Sequence, residues 1–233
     1  MIQRIPAQDR HYKDMGWLKT HWLFSFGDYL DPANMQFGNL RVFNDDFVKA
    51  HTGFKTHQHA EMEIVTLVMS GELTHEDSTG SSGTISPGEV QRMTAGTGIR
   101  HSEMNHGDEP VNLCQIWFLP DQSGLEPGYV QQNFRERLAS NALIPVVSGG
   151  NHSEALSIHA DITLWIGDFE GGHSSIYEPG SGRGVFVYVI RGKMKVNDTT
   201  LEQFDQARIT EEQEVRLDAA EPVHFICIET KLE

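Results

Sequence analysis

Cysteine is almost absent from this chain. Its two thiols, Cys114 and Cys227, sit in opposite halves of 233 residues; that excludes a disulfide framework and points to a reducing compartment, with both thiols free. Positive charge is also scarce, 18 Lys and Arg standing against 33 Asp and Glu for a formal net charge of −15. Direct contact with nucleic acid or with an anionic membrane is therefore not expected, because both draw on clustered cations. Long apolar runs are missing too. None approaches the ~18 residues of a membrane span, and the first 30 residues hold no stretch that could serve as a secretory core, so the expected location is the cytoplasm. Helical periodicity is nearly lacking: one short, polar window, Asn133 to Asn141 (NFRERLASN), reads as helix.

The chain instead carries short apolar segments rich in Val, Ile, Phe and Thr, divided by Gly, Asn, Asp and Pro. Leu40 to Phe43, Glu63 to Met69, Asn112 to Leu119, Ile162 to Ile166, Val185 to Ile190 and Val223 to Glu229 are the clearest strands. A weak internal repeat appears at an offset of 121 residues, where EIVTLVMSGELTH from Glu63 faces GVFVYVIRGKMKV from Gly184 and Gly71 faces Gly192. Each copy reads as strand, glycine turn and return strand. The expected fold is all-β, two similar barrels in tandem, joined near Pro120 to Gly128 where Pro, Gly and acidic residues gather. The N-terminal stretch could add a strand to either half.

Twelve histidines are scattered through the chain, and spacing singles out a few. His57 and His59 stand at i, i+2 in THQH, so on a strand both rings share a face; His101 and Glu103 in RHSE have the same spacing. Brought together inside a barrel, the two pairs would offer three neutral nitrogens and a carboxylate to one point, a donor set for a divalent transition metal with positions left open. Read alone, each pair could be a chance surface feature. Other signals are weak: DSTGSSG has no nucleophile-elbow pattern, and GSGRG (Gly180 to Gly184) lacks the Lys-Ser or Lys-Thr of a phosphate loop. Phe24, Phe26, Phe37, Met93 and Trp117 could line an aromatic pocket, although core packing is the commoner fate of such residues.

Two longer motifs carry a family resemblance. GFKTHQHAEMEIVTLVMSG (Gly53 to Gly71) and SPGEVQRMTAGTGIRHSEMN (Ser86 to Asn105) resemble the paired motifs of the cupin superfamily. HWLFSFGDYLDP from His21, LRVFNDD from Leu40, MTAGTGIRHSE from Met93, QIWFLP from Gln115 and PGYVQQNF from Pro127 resemble, more narrowly, the pirin family. The resemblance implies two jelly-roll cupin barrels, residues 1–134 with a metal site and residues 135–233 without one. It implies His57, His59, His101 and Glu103 as ligands, in place of the Glu63 that generic cupins would use. Glu63 would then orient a ligand histidine from behind.

The resemblance also implies one metal ion, iron(II) in the usual case, with Mn, Ni, Cu, Co or Zn compatible with the same donors. The activity it implies is that of a quercetin 2,3-dioxygenase: ring opening of a flavonol or related planar phenol by O2, with Glu103 as the catalytic base. The alternative it carries is a non-enzymatic metal-binding regulator that acts through a protein partner. A monomer is expected in either case. In the second half the repeat places Glu178, Gly180 and Gly184 where His57, His59 and Glu63 stand, so His152, His159, His173 and His224 are expected to be ordinary polar residues.

Overall fold

The computed structural model describes residues 1–138, 141–150 and 152–232. It is built almost wholly of strands. In the first half, Gly128–Asn133, Glu89–Thr94, Glu63–Ser70, Val111–Phe118, Leu40–Val48, Leu18–Trp22 and His11–Asp14 form a seven-stranded sheet in that order. A four-stranded sheet, Gly53–His59, Ile99–Met104, Leu73–Asp77 and Ser82–Ile85, faces it. The second half repeats the plan. Its large sheet runs Ile2–Ile5, Gln206–Ile209, Arg183–Arg191, Val223–Lys231, Ile162–Phe169, Leu143–Ser148, Leu156–Ser157, and its small one Ser174–Tyr177, Val215–Ala219, Met194–Val196, Thr199–Leu201. The two units are cupin barrels.

The N-terminal stretch serves both halves. Ile2–Ile5 pairs with Gln206–Ile209, while His11–Asp14 and Leu18–Trp22 extend the first sheet. Gly128–Asn133, beyond the Pro120 to Gly128 segment, still pairs with Glu89–Thr94, so the chain leaves the first sheet only after Asn133. The helix expected over Asn133 to Asn141 is one turn, Arg135–Leu138; residues 139 and 140 lie outside the described residues. The hairpin glycines of the repeat are equivalent in conformation, Gly71 at φ +77° and Gly192 at φ +86°. A Cβ at 192 would lie 2.1 Å from the Pro222 carbonyl oxygen, so both φ and space call for glycine there.

The strand Glu63–Ser70 is buried on both faces until its last turn, and its alternation assigns each face. Ile64, Thr66 and Val68 look into the first barrel, whereas Val65 and Leu67 join a core shared by the two halves. That shared core also takes Phe24, Phe43, Phe118, Phe186, Tyr188, Ile226 and Ile228, with Phe43 packed 5.4 Å from Phe186 and 4.9 Å from Tyr188, centre to centre. Within it lies a buried polar knot. Arg10 and the Tyr188 hydroxyl both donate to Asp45 Oδ2 (3.1 and 2.8 Å), and Asn112 donates to Oδ1 at 2.8 Å. The halves are thus fused along their large sheets, leaving each barrel interior separate.

Candidate metal centre

The four expected ligands lie on the small sheet of the first barrel. His57 and His59 share one face of Gly53–His59, and the neighbouring strand places His101 directly opposite His57. A register shift between His101 and Glu103 follows, so that Glu103 pairs with Phe54 on one side and with His75 on the other. The donor atoms of His57, His59 and His101 lie within 4.8 Å of one another. Glu103 belongs to a second group of the same compactness with His101 and His75. His101 is common to both.

The electrostatics suit metal ligands. Burial lowers the pKa of His59 to about 4, helped by His57, and that of His101 to about 2, helped by His57, His59 and His75. Both rings are neutral at pH 7, with lone pairs that no proton contests. His57 Nδ1 lies 2.8 Å from the Lys55 carbonyl oxygen and so donates to it, which leaves Nε2 as the free nitrogen. Burial raises Glu103 to about 7, against hydrogen bonding from Gln115 and Thr66. Thr66 donates to Gln115 Oε1 at 2.8 Å, which turns the amide so that Nε2 donates to Glu103 Oε2 at 2.9 Å. His101 Nε2 and Glu103 Oε1 are buried with no partner in the protein. A divalent cation would satisfy both, and the residues present fit one.

An aromatic wall stands beside the histidines. Trp117 meets the His59 ring edge to face at 4.7 Å, Phe26 meets Trp117 at 5.4 Å, and Trp22 meets Phe26 at 5.3 Å. The Trp117 indole nitrogen is buried and unpartnered. Of the five pocket candidates in the sequence, Phe26 and Trp117 reach this wall, and Met93 packs behind it with Ile64 and Ile99. Phe24 and Phe37 are in the shared core instead. A cleft of about 670 Å³ between the halves, lined by Leu67, Met69, Ile166, Ile190, Arg191 and His224, contains none of the expected ligands.

Glu63 falls in neither donor group. By strand alternation it points with Val65 and Leu67, away from the barrel interior. Its carboxylate lies 3.4 Å from His159 of the second half, and its charge acts on the buried Arg92. It therefore does not reach back to a ligand histidine. His75 is the residue that sequence reasoning missed. It sits at i, i+2 from Asp77, the same spacing that marked His57 and His59, but a His-x-Asp pair has no metal-ligand signature of its own.

The second barrel holds apolar side chains at the places of Thr66, His75, His101, Glu103 and Gln115. Val196 faces Leu217 as His75 faces Glu103, and Val187 faces Cys227 as Thr66 faces Gln115. Val215 stands two residues before Leu217, as His101 does before Glu103. All five substituting side chains belong to one apolar cluster and are fully buried.

Fold and site together define a two-barrel cupin with clustered histidines and a buried carboxyl in one barrel and an apolar cluster in the other. The pirin family model matches residues 6–118 and the model of the quercetinase C-terminal cupin domain matches residues 145–230. A pirin-like protein of Caulobacter vibrioides is 35% identical over 230 residues, 98% of this chain and 99% of that one. A quercetin 2,3-dioxygenase of Escherichia coli K12 is 36% identical over 220 residues, 94% of each chain. The structure of the bacterial pirin YhhW from Escherichia coli in complex with nickel(II) matches with a TM-score of 0.95 at 34% identity, over 100% of both chains. The chain belongs to the pirin family.

Proposed function

We propose that this protein is a metal-dependent dioxygenase of the quercetin 2,3-dioxygenase type, opening the ring of a flavonol or related planar phenol with O2. One divalent ion, iron(II) by expectation, is held by His57, His59, His101 and Glu103; it acts as a cytoplasmic monomer that needs neither nucleic acid nor membrane. The observation that carries the reading is the convergence of the His57, His59 and His101 donor nitrogens within 4.8 Å of one another, beside the buried Glu103 carboxyl. The relatives named as quercetin dioxygenases support it.

When bound, the ion supplies a Lewis acid that makes a phenolic hydroxyl more acidic. Glu103, a ligand that can loosen, would give up its place on the ion to take the hydroxyl proton at Oε1, its one oxygen without a protein partner, while Gln115 holds Oε2. Trp117 and Phe26 offer apolar rings beside His59 to a planar substrate. Trp117 also excludes water from the His59 side.

The test uses quercetin under air with metal-loaded protein. Loss of the near-visible absorption with O2 consumption and carbon monoxide release is the expected result. Glu103→Gln should lower turnover by ~10²–10⁴-fold, more than it lowers metal content, because the amide coordinates weakly but takes no proton. Equal loss of both would leave Glu103 a ligand only. Quercetin binding without O2 consumption, with each of several metals, would sink the dioxygenase reading in favour of a regulator acting through a protein partner.

A further inference from the structure

The surroundings of His75 extend this reading beyond the ligands themselves. His75 is fully buried on Leu73–Asp77, and its two ring nitrogens have different partners. Nε2 lies 3.0 Å from Asp77 Oδ2, and Nδ1 lies 3.3 Å from His101 Nδ1. Tyr129 stacks on the ring at 4.6 Å with the planes 24° apart. Gly83, the strand neighbour of His75, makes room for that tyrosine; a Cβ at 83 would lie 2.4 Å from its hydroxyl. The ring is clamped in plane and in rotation.

Proton positions along this chain follow from its outer end. Asp77 Oδ1 accepts from Thr79 N (2.8 Å), Thr79 Oγ1 (2.6 Å) and Ser81 N (3.2 Å), so the carboxylate is locked in a turn. Three donors on Oδ1, with the His75 ring nitrogen against Oδ2, mark the Asp77 side chain as an acceptor. His75 Nε2 must be the donor. A ring that gives its proton from Nε2 to Asp77 carries a lone pair on Nδ1. The 3.3 Å contact then requires the proton on His101 Nδ1. The lone pair of His101 is thereby left on Nε2, the buried nitrogen without a protein partner.

We infer that Asp77 and His75 are a positioning pair that fixes the tautomer and orientation of His101, presenting Nε2 to the metal. This rests on the metal-site reading above. The pair acts as the carboxylate and carbonyl partners of metal-bound histidines do, setting which nitrogen coordinates and raising its basicity. The second barrel, with Val196 and Val215 at these places, has neither a ligand nor a positioner.

Asp77→Asn is the diagnostic variant. Its Oδ1 keeps the Thr79 and Ser81 bonds, so the new Nδ2–H₂ faces His75 Nε2 as a donor, and each tautomer in the chain reverses. His101 then carries its proton on Nε2. The expected result is Ni²⁺ affinity lowered 10–100-fold by titration calorimetry, with little change in the melting temperature of the metal-free protein. A second measurement needs no variant: long-range ¹H–¹⁵N correlation on ¹⁵N-histidine-labelled protein should find His75 as the Nε2–H and His101 as the Nδ1–H tautomer. Addition of Zn²⁺ should then shift His101 Nε2 and leave both His75 nitrogens unligated. An Nε2–H His101 in the wild type, a zinc-ligated His75, or undiminished Ni²⁺ affinity in Asp77→Asn would each overturn the inference. Failure of the wild type to bind Ni²⁺ or Zn²⁺ would instead refute the metal reading beneath it.

Discussion

Asp46 offers a quantitative test of how the first barrel tolerates its polar interior. It lies on Leu40–Val48 inside the barrel, 2% exposed, with Oδ1 unpartnered. Burial raises its pKa from 3.8 to about 7; the Thr20 hydroxyl works against this, and the charges of Asp45 and Glu103 add to it. Between about pH 4 and pH 7 the unfolded chain has therefore lost a proton that the folded protein keeps. The unfolded state binds fewer protons, so stability falls as pH rises through this window and is level above it. At ~1.4 kcal/mol per pKa unit, the three-unit shift sets a ceiling of about 4 kcal/mol on the loss. Asp46→Asn has no proton to lose. Urea unfolding of the metal-free proteins at pH 4.5 and pH 8 should show the variant gaining on the wild type by about 2–4 kcal/mol across that range, part of the ceiling being lost to coupling with Glu103. Glu103 titrates in both proteins, so the difference reads Asp46 together with its coupling to Glu103. A difference between variant and wild type that does not change with pH would refute the reasoning, because it would mean that Asp46 titrates in the folded protein as it does in the unfolded chain.

Three further outcomes follow from other parts of the molecule. Arg10→Met should cost about 3–5 kcal/mol in urea unfolding, since it strands the buried Asp45 charge between the two halves; replacing both residues by apolar ones should recover much of that, and a single-variant cost below about 1 kcal/mol would show the pair to be solvated. Cys114 and Cys227 are free and buried, and burial pushes both thiols well up, so the native protein should be inert to thiol reagents while the denatured, unreduced protein titrates both; finding none on denaturation would imply a bridge. Elemental analysis after anaerobic loading should give one metal per chain, lost in His57→Ala or His101→Ala. Two per chain would mean that the apolar second barrel is not what it looks like.

The strand framework was legible in the chain because it is a local property. Short β-branched runs between turn residues place the six clearest strands, and the glycines at 71 and 192 mark equivalent hairpins. The i, i+2 histidines were legible for the same reason: one strand's pleat puts both rings on one face whatever the rest of the fold does. The His57, His59 and His101 convergence needed one further step, the pairing of two strands, which the family motifs anticipated.

Tertiary structure alone decided the rest. Glu63 lies on a strand buried on both faces, where a run of apolar residues does not say which side is barrel and which is interface; the docking of the two large sheets turned it away from the clustered histidines. The partners of Glu103 and His101 come from other strands through register. Gln115 stands 12 residues from Glu103, and His75 stands 26 from His101. No spacing rule links such pairs, because their separation in sequence depends on hairpin lengths that carry no chemistry. The sequence by itself determined which residues could bind a metal; cross-strand register determined which nitrogen and which oxygen are left free to do so.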